Sequence, residues 1–144
     1  MIRIATDADA LYCEYASQGM HPKPIDVPGA PPNNGTYSQA VRLGDLIFVS
    51  GRLGVDPATR ALVPGGIREQ ARQAIDNIEA ILTEAGSGLD RVGKVNIFLT
   101  DFLLLPGVNQ IYAARFTGKP AKTTVEIARL DKEALIEIEA IACL

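Results

Sequence analysis

The last strand pattern of the chain restricts the possible folds more than any other feature. In the segment "ALIEIEAIACL" the positions of one parity are small or aliphatic, namely Ile136, Ile138, Ala140 and Ala142. This period of two predicts a β-strand that buries one face, because successive side chains of a strand point to opposite sides. Glu137 and Glu139 then share the other face, where they either meet solvent or belong to a site.

Two helix patterns and four further strand patterns precede this strand. The helix in "GIREQARQAIDNIEAILTEAGSG" has apolar residues at intervals of three and four, and Gly86 and Gly88 end it. A shorter helix in "LPGVNQIYAARFTG" stops at Gly118. The predicted strands are residues 36–43, residues 46–53, the segment "RVGKVNIFLTDF" with its mostly apolar residues 95–99, and one that begins at Lys122. The run "LIFVS" in the second of them predicts burial on both faces.

The order β-β-α-β-α-β-β predicts an α+β fold with two helices on one face of a single sheet. We expect one domain over residues 25–144, since a chain of 144 residues suits one domain. We expect residues 1–24 to form an N-terminal arm, because their pattern differs from the rest of the chain. A short helix-like piece is followed by the Pro-rich segment "HPKPIDVPGAPPNNG", which must be extended or turning. The other face of the sheet has no predicted helix to cover it, which predicts a subunit interface.

The composition and charge of the chain argue against several classes of function. A pI of about 5.1 and a net charge of −3 argue against a nucleic-acid binder, which normally has a basic face. No apolar run is long enough to cross a membrane, and the N-terminus lacks the order of a signal peptide, so we expect a cytoplasmic protein. The single histidine, His21, has no ligand cluster around it. We therefore expect neither a metal site nor a histidine-based triad.

Several polar residues are candidates for a site, but each has a simpler explanation. Lys122, at the start of a strand in "KPAKTTVEIARL", is typical of a solvated strand edge. Tyr37 in "GTYSQ" is typical of a half-buried strand, and Asn109 in "PGVNQIY" of a helix start. Glu137 needs a neighbouring site before its carboxylate could direct a water.

Taken together, the segments of the chain resemble the Rid/YjgF family of reactive-intermediate deaminases. The similar segments lie in this order over residues 25–142: "APPNNGTYSQAVRLGDLIFVSG", "QARQAIDNIEAIL", "VNQIYAARF", and "VEIARL" followed by "IEIEAIA". The resemblance implies a chorismate-mutase-like fold and a homotrimer whose sheets form a central barrel, with three sites in the clefts between subunits. It also implies hydrolysis of 2-imino or 2-enamino acids to 2-keto acids and ammonia, with no cofactor.

The resemblance further implies a role for individual residues. In the family an arginine just before the last but one strand holds the substrate carboxylate, and that position is Lys122 here. A glutamate of the last strand, Glu137 here, positions the attacking water. Tyr37, Gly51 and Asn109 stand at the positions that shape the pocket in the family.

The sequence departs from the family pattern around Lys122. The segment reads "KPAK" where the family has arginine, and the position two residues later, often cysteine in the family, is Thr124. The connection from the second helix is also shorter, and Thr36 stands where the family commonly has proline. A lysine offers one point charge on a flexible stem where an arginine offers a two-pronged guanidinium. The small anionic imino or keto acid that this chain takes is therefore left open.

Three other interpretations accompany the deaminase. Without the arginine, the chain is also compatible with a trimeric scaffold or small-carboxylate-binding protein that has no turnover. Lys122 could instead act as an amine nucleophile that forms a Schiff base with a carbonyl ligand. A ribonuclease is disfavoured by the low pI and by the lack of a histidine near a basic cluster.

The positions of Lys122 and Glu137 set a geometric condition on a shared site. If the last two strands formed a tight hairpin, Lys122 would pair near Cys143 and Glu137 would lie roughly 20 Å away along the strand. We therefore expect either that these strands are not hairpin partners or that the site spans two chains.

Overall fold

The computed structural model describes residues 21–144. The helix-like piece predicted near the N-terminus, and most of the predicted arm, lie outside the described residues. The strands are β1 (Lys23–Ile25), β2 (Ala40–Leu43), β3 (Leu46–Leu53), β4 (Val92–Leu99), β5 (Ala121–Glu126) and β6 (Ile136–Cys143). The helices are α1 (Ile67–Glu84) and α2 (Leu105–Arg115), and short 3-10 turns occur at Leu89–Arg91, Phe102–Leu104 and Asp131–Glu133.

All six strands form one sheet in the order β1-β2-β3-β6-β4-β5. Every neighbouring pair is antiparallel except β4 and β5, which run parallel with α2 as their crossover. The last strand of the sequence is therefore central, with β3 on one side and β4 on the other. The predicted α+β fold, with two helices on a single sheet, is confirmed.

The core lies between α1 and one face of the sheet. The apolar stripe of α1 is fully buried, including Ile75, Ile78 and Leu82, and it packs against β3 and β6. The alternating residues of β6 meet this stripe, since Ile136 and Ile138 are also fully buried. Two patterns with different periods, 3.6 in the helix and 2 in the strand, thus fix the same interface.

Strand β2 starts four residues later than predicted, at Ala40 instead of Thr36. The side-chain carbonyl of Asn33 accepts a hydrogen bond from the Gly35 amide, and that of Asn34 accepts one from the Thr36 amide. These local turns compete with strand pairing, because an Asx turn offers the backbone an alternative partner. Tyr37 therefore lies in a loop.

The prediction that "LIFVS" is buried on both faces is wrong for the single chain. Ile47 and Val49 are buried against the helices, whereas Leu46 and Phe48 on the other face are 45% and 38% exposed. The first half of β3 thus alternates between a buried and an exposed face. The exposed side chains belong to the sheet face that carries no helix.

Strand β1 continues the sheet into the predicted arm. Lys23, Pro24 and Ile25 pair antiparallel with β2, so the predicted boundary between residues 24 and 25 falls inside a strand. Proline is accommodated there because β1 is an edge strand, where an absent N–H costs no ladder bond. Neither helix between residues 21 and 144 is long and apolar enough to cross a membrane.

Gly54, just after β3, is required for the approach of α1. A Cβ at this position would lie 2.5 Å from the Cα of Gln70 and 2.6 Å from its carbonyl oxygen. Because backbone atoms cannot swing away as a side chain can, we expect Gly54→Ala to lower the free energy of unfolding by about 1–3 kcal/mol in urea denaturation. Gly29→Ala is the matched control, since no atom lies within 4 Å of its Cβ position. Equal stability of the two variants would contradict this account of the packing.

The helix-free face of the sheet generates a prediction about assembly. It exposes Leu46, Phe48 and Val125, and the resemblance leads us to expect a homotrimer that covers them. Sedimentation equilibrium at micromolar concentration should give three times the 15.4 kDa mass of the chain. Phe48→Glu should dissociate the assembly, because association would bury an unpaired charge at the interface. A monomer for the unmodified protein would refute the expectation.

Candidate functional site

Glu137 lies on the helix-free face of the central strand, directly over a glycine. Its neighbours in the ladder are Leu53 of β3 and Phe98 of β4. A Cβ at Gly51 would overlap Oε1 of Glu137, so any other residue at position 51 would displace the carboxylate. Gly51 thus leaves room for the Glu137 carboxylate. A bulge between Val49 and Arg52 places Gly51 beneath that carboxylate.

The carboxyl group of Glu137 has an unusual electrostatic environment. Burial raises its pKa above the ordinary range, and the nearby carboxylates of Glu139 and Asp131 raise it too, whereas the Arg52 guanidinium lowers it. Glu139, the second acid of the same face, accepts a 2.7 Å hydrogen bond from the side-chain amide of Asn96. The two predicted face-sharing acids therefore differ, and only Glu139 has a side-chain partner of its own among residues 21–144.

Tyr37 and Gly51 line a cavity of about 330 Å³ next to the loop that precedes β2. Its other walls include Asn33 and Asn34 of the preceding loop and Asn77 of α1. Tyr37 is 47% exposed, so the phenol is available to a bound molecule. The structure thus brings three predicted site residues together, because Glu137 touches Gly51 and Gly51 shares the cavity with Tyr37.

Arg52 is part of this cavity, and sequence reasoning missed it. Its side chain is buried, with 4% of the residue exposed, and its guanidinium donates to the carbonyls of Ser50, Pro31 and Gln39 at 3.1–3.3 Å. Burial lowers the pKa of Arg52, while Tyr37 and Glu137 raise it. The sequence signal that could have identified Arg52 is a charged residue at the end of an apolar strand.

Lys122 is held in a defined position at the edge strand β5. Its Nζ donates a 2.8 Å hydrogen bond to Oδ1 of Asn109 and lies 4.7 Å from the centre of the Tyr112 ring. An amide oxygen and an aromatic face are both partners of a cation. Lys122 is therefore exposed, but its ammonium group is held against Asn109 and Tyr112 of α2.

Two buried hydroxyl groups lie near Lys122. Within residues 21–144, neither Tyr112 Oη nor Thr124 Oγ1 has a hydrogen-bond partner. Burial raises the pKa of Tyr112, whose ring stacks at 4.6 Å on Phe116. Thr124 follows Lys122 on the same face of β5, because it is two residues further along the strand. Lys122, Asn109, Tyr112 and Thr124 thus form a second group of candidate residues, here called the β5 group.

The structure does not bring the β5 group to Glu137 within one chain. Strand β4 separates β5 from β6, so the last two strands are not hairpin partners. In the registers Lys122 pairs with Val95 and Val95 with Ala140, which leaves Glu137 about 10 Å further along and about 10 Å across. The two side chains also point to opposite faces, because Lys122 contacts α2 while Glu137 alternates with Ile138, which is buried beneath α1.

No cluster of three metal-ligating side chains occurs in the part of the chain that the structure describes. The two groups present a half-buried carboxylate, a phenol and a guanidinium on one side, and an ammonium with hydroxyl groups on the other.

Comparisons with known proteins identify the family. The family model described as Endoribonuclease L-PSP matches residues 28–144. A 2-iminobutanoate/2-iminopropanoate deaminase of Rattus norvegicus is 44% identical over 121 residues, which cover 83% of this chain and 88% of that protein. The structure of the YjgF gene product from E. coli has 42% identity and a TM-score of 0.80, and covers 84% of this chain and 98% of its own. E. coli TdcF with bound serine has 35% identity and a TM-score of 0.80, covering 85% and 98%.

These relatives are covered over 88–98% of their own length, and the residues 28–144 that the family model matches include both groups of candidate residues. The sequence resemblance is thereby confirmed, and the chain belongs to the Endoribonuclease L-PSP family, which is the Rid/YjgF family.

Proposed function

We propose that this protein hydrolyses small 2-imino or 2-enamino acids to 2-keto acids and ammonia, in a cleft between two subunits of a homotrimer. The observation that carries the proposal is the fit of the Glu137 carboxylate over Gly51, beside the cavity that Tyr37 lines. A carboxylate held in a half-buried position next to a cavity can orient a water and accept its proton. The relative named as a 2-iminobutanoate/2-iminopropanoate deaminase supports this chemistry.

The reaction needs no group beyond water and these side chains. The water oxygen attacks C2 of the protonated imine, forming the C–O bond while the C=N π electrons move to nitrogen. Glu137 accepts one water proton and returns it to the amino group of the resulting carbinolamine. The C–N bond then breaks, ammonia leaves with its electron pair, and loss of the hydroxyl proton completes the keto acid.

Lys122 is the residue we assign to the substrate carboxylate. Its ammonium group has three N–H donors, of which one is engaged by Asn109. Two donors therefore remain for an anion. Thr124 lies on the same face of the strand, and its unpartnered hydroxyl is a further candidate for substrate binding. The serine bound to E. coli TdcF is itself a small carboxylate, which supports a ligand of this class.

The separation of the two groups supports a site between subunits. In one chain Lys122 and Glu137 lie on opposite faces of the sheet with β4 between them, so they cannot act on one small molecule. A second copy can bring its β5 edge to the cavity of Tyr37 and Gly51. Trimer formation would then also cover the exposed Phe48.

A carboxylate-binding protein without turnover is the second candidate. It is favoured by the lysine at position 122, because one ammonium cannot form the two-pronged clamp of a guanidinium. An assay separates the two functions. 2-Iminobutanoate is generated from 2-aminobutanoate by an amino-acid oxidase, with semicarbazide competing for it, and faster loss of imine shows a deaminase. Binding of 2-oxobutanoate without such acceleration shows a binder.

Removing the charge of Glu137 tests its proposed role. Glu137→Gln keeps the shape above Gly51 but cannot accept a proton, so imine turnover should fall by at least about 100-fold. The melting temperature at neutral pH should not fall, because burial disfavours the charged form in the folded state. A variant with full activity would exclude Glu137 from the reaction.

The pH dependence gives an independent test of the same residue. Glu137 must be ionised to accept a proton, and its pKa is raised by burial. Activity should therefore disappear on acidification at a higher pH than for an ordinary glutamate. Stability should change with pH in the opposite direction to activity. Because the pKa of Glu137 is higher in the folded state, this residue contributes to the stability of the fold at low pH, and the contribution is lost as the pH rises through that pKa. Glu137→Gln should lack that pH-dependent term.

Substitutions of Lys122 test carboxylate binding. Lys122→Arg should raise imine turnover about tenfold, since one additional charged hydrogen bond is worth roughly 1.5–3 kcal/mol. Lys122→Ala should abolish 2-oxobutanoate binding in calorimetry while leaving the melting temperature nearly unchanged, because the residue is exposed on an edge strand.

Lys23→Ala is the matched control, because Lys23 is exposed on β1 at the other edge of the sheet. Loss of activity in Lys122→Arg would indicate a role that a guanidinium cannot fill, such as the Schiff base, which borohydride reduction and mass spectrometry would detect. Unchanged binding in both Lys122 variants would remove Lys122 from the site.

A further inference from the structure

The cavity beside Gly51 carries more positive charge than the hydrolysis of an aliphatic imino acid requires. Within residues 21–144, the cavity is lined by the cations Arg52, Arg60 and Lys132 and by one carboxylate, Asp131. The Glu137 carboxylate lies nearby over Gly51. These cations come from three separate parts of the chain, namely the end of β3, the following loop and the turn before β6.

Arg52 is the buried member of this set, and no carboxylate among the residues that the structure describes lies within ion-pair distance of it. Among residues 21–144 the ion pairs within 4.0 Å involve Arg42, Arg72 and Arg115 but not Arg52. Placing a charge in a poorly hydrated position is costly unless it is paired or hydrogen-bonded. The three carbonyl partners of Arg52 satisfy hydrogen bonds, but they leave the net positive charge in place.

The guanidinium also retains donors for a ligand. Of its five N–H groups, three are engaged by the carbonyls of Ser50, Pro31 and Gln39. Those same bonds fix the group against the cavity wall, so an anion that enters loses little freedom of the arginine on binding. Arg60 and Lys132 are exposed at the rim and add attraction at longer range.

From this arrangement we infer that the cavity binds a second anionic group of the substrate, so that the preferred substrates are 2-imino dicarboxylates. This inference rests on the proposed function for the position of the first carboxylate, which Lys122 of another subunit holds at the opposite side of the cleft. An aliphatic substrate end would instead displace water from three cations and give them no partner. A carboxylate end supplies that partner, and its attraction to the three cations offsets its repulsion from Glu137.

Two keto acids of equal chain length provide the test. 2-Oxoglutarate and 2-oxopentanoate share five carbons and the 2-keto carboxylate, and they differ in the second carboxylate alone. Calorimetric titration of the intact protein should show 2-oxoglutarate binding about tenfold or more tightly, as expected for one charged hydrogen-bonded pair. The preference should shrink as the salt concentration is raised. Equal affinity for the two probes would overturn the inference.

Variants locate the second anion site. Arg52→Gln should abolish the preference for 2-oxoglutarate over 2-oxopentanoate. Because Arg52 also holds the loop of Tyr37, the rim variants Arg60→Gln and Lys132→Gln provide a second measurement, with smaller losses confined to 2-oxoglutarate. Lys23→Gln removes the same charge outside the cavity and should change neither affinity.

The outcomes also separate this inference from the proposed function. A preference for 2-oxoglutarate that Arg52→Gln abolishes, with no imine turnover, would support the anion site and refute the deaminase. Turnover of 2-iminobutanoate with no preference between the probes would support the deaminase and refute the second anion site. Equal loss of both probes in Arg52→Gln, with no effect of the rim variants, would leave Arg52 as a support of the loop and overturn the inference.

Discussion

The burial of one face of β6 beneath α1 is the constraint on which the rest of the structure depends. Ile136 and Ile138 are fully buried in that interface, and the strand period of two then puts Glu137 on the opposite face. A register shift of one residue would exchange the two faces and bury the carboxylate in the apolar core. The position of the candidate catalytic acid is thus determined by the hydrophobic packing, and the same packing makes β6 the middle of the sheet.

Two glycines on β3 and just beyond it adapt the neighbouring strand to this arrangement. Gly54 allows the backbone of α1 to approach, and Gly51 leaves room for the carboxylate of Glu137. Both act through the absence of a side chain, since neither has a positive φ angle. The bulge between Val49 and Arg52 is what turns Gly51 toward Glu137 and Arg52 toward the cavity. Sequence periodicity cannot locate such a bulge, because it shifts the alternation within an otherwise regular strand.

The fold was predictable from sequence wherever a long periodic pattern met a single partner. The pattern of α1 and the alternation of β6 both satisfied this condition. The start of β2 was not predictable. Asn33 and Asn34 close local turns, and whether such turns are more stable than strand pairing depends on the conformation of the whole loop. The pairing of β5 with β4 could not be derived either, since no local pattern states which strand lies next to which. For the same reason, the family resemblance proposed the site residues without their relative positions. Only the structure shows that they form two distant groups, one at Glu137 and one at Lys122.

The guanidinium of Arg52 and the carboxylate of Glu137 each affect the pKa of the other. Burial lowers the pKa of Arg52 and raises that of Glu137, so it disfavours both charged forms, yet each charge lies in the field of the other and is favoured by it. They do not form a direct ion pair within 4.0 Å among the residues described, so neither charge is cancelled at contact distance. In the proposed site, this arrangement leaves the carboxylate oxygens of Glu137 available to a water and the remaining guanidinium donors of Arg52 available to an anion. A direct salt bridge would have stabilised both charges more, but it would have occupied the atoms that a substrate needs.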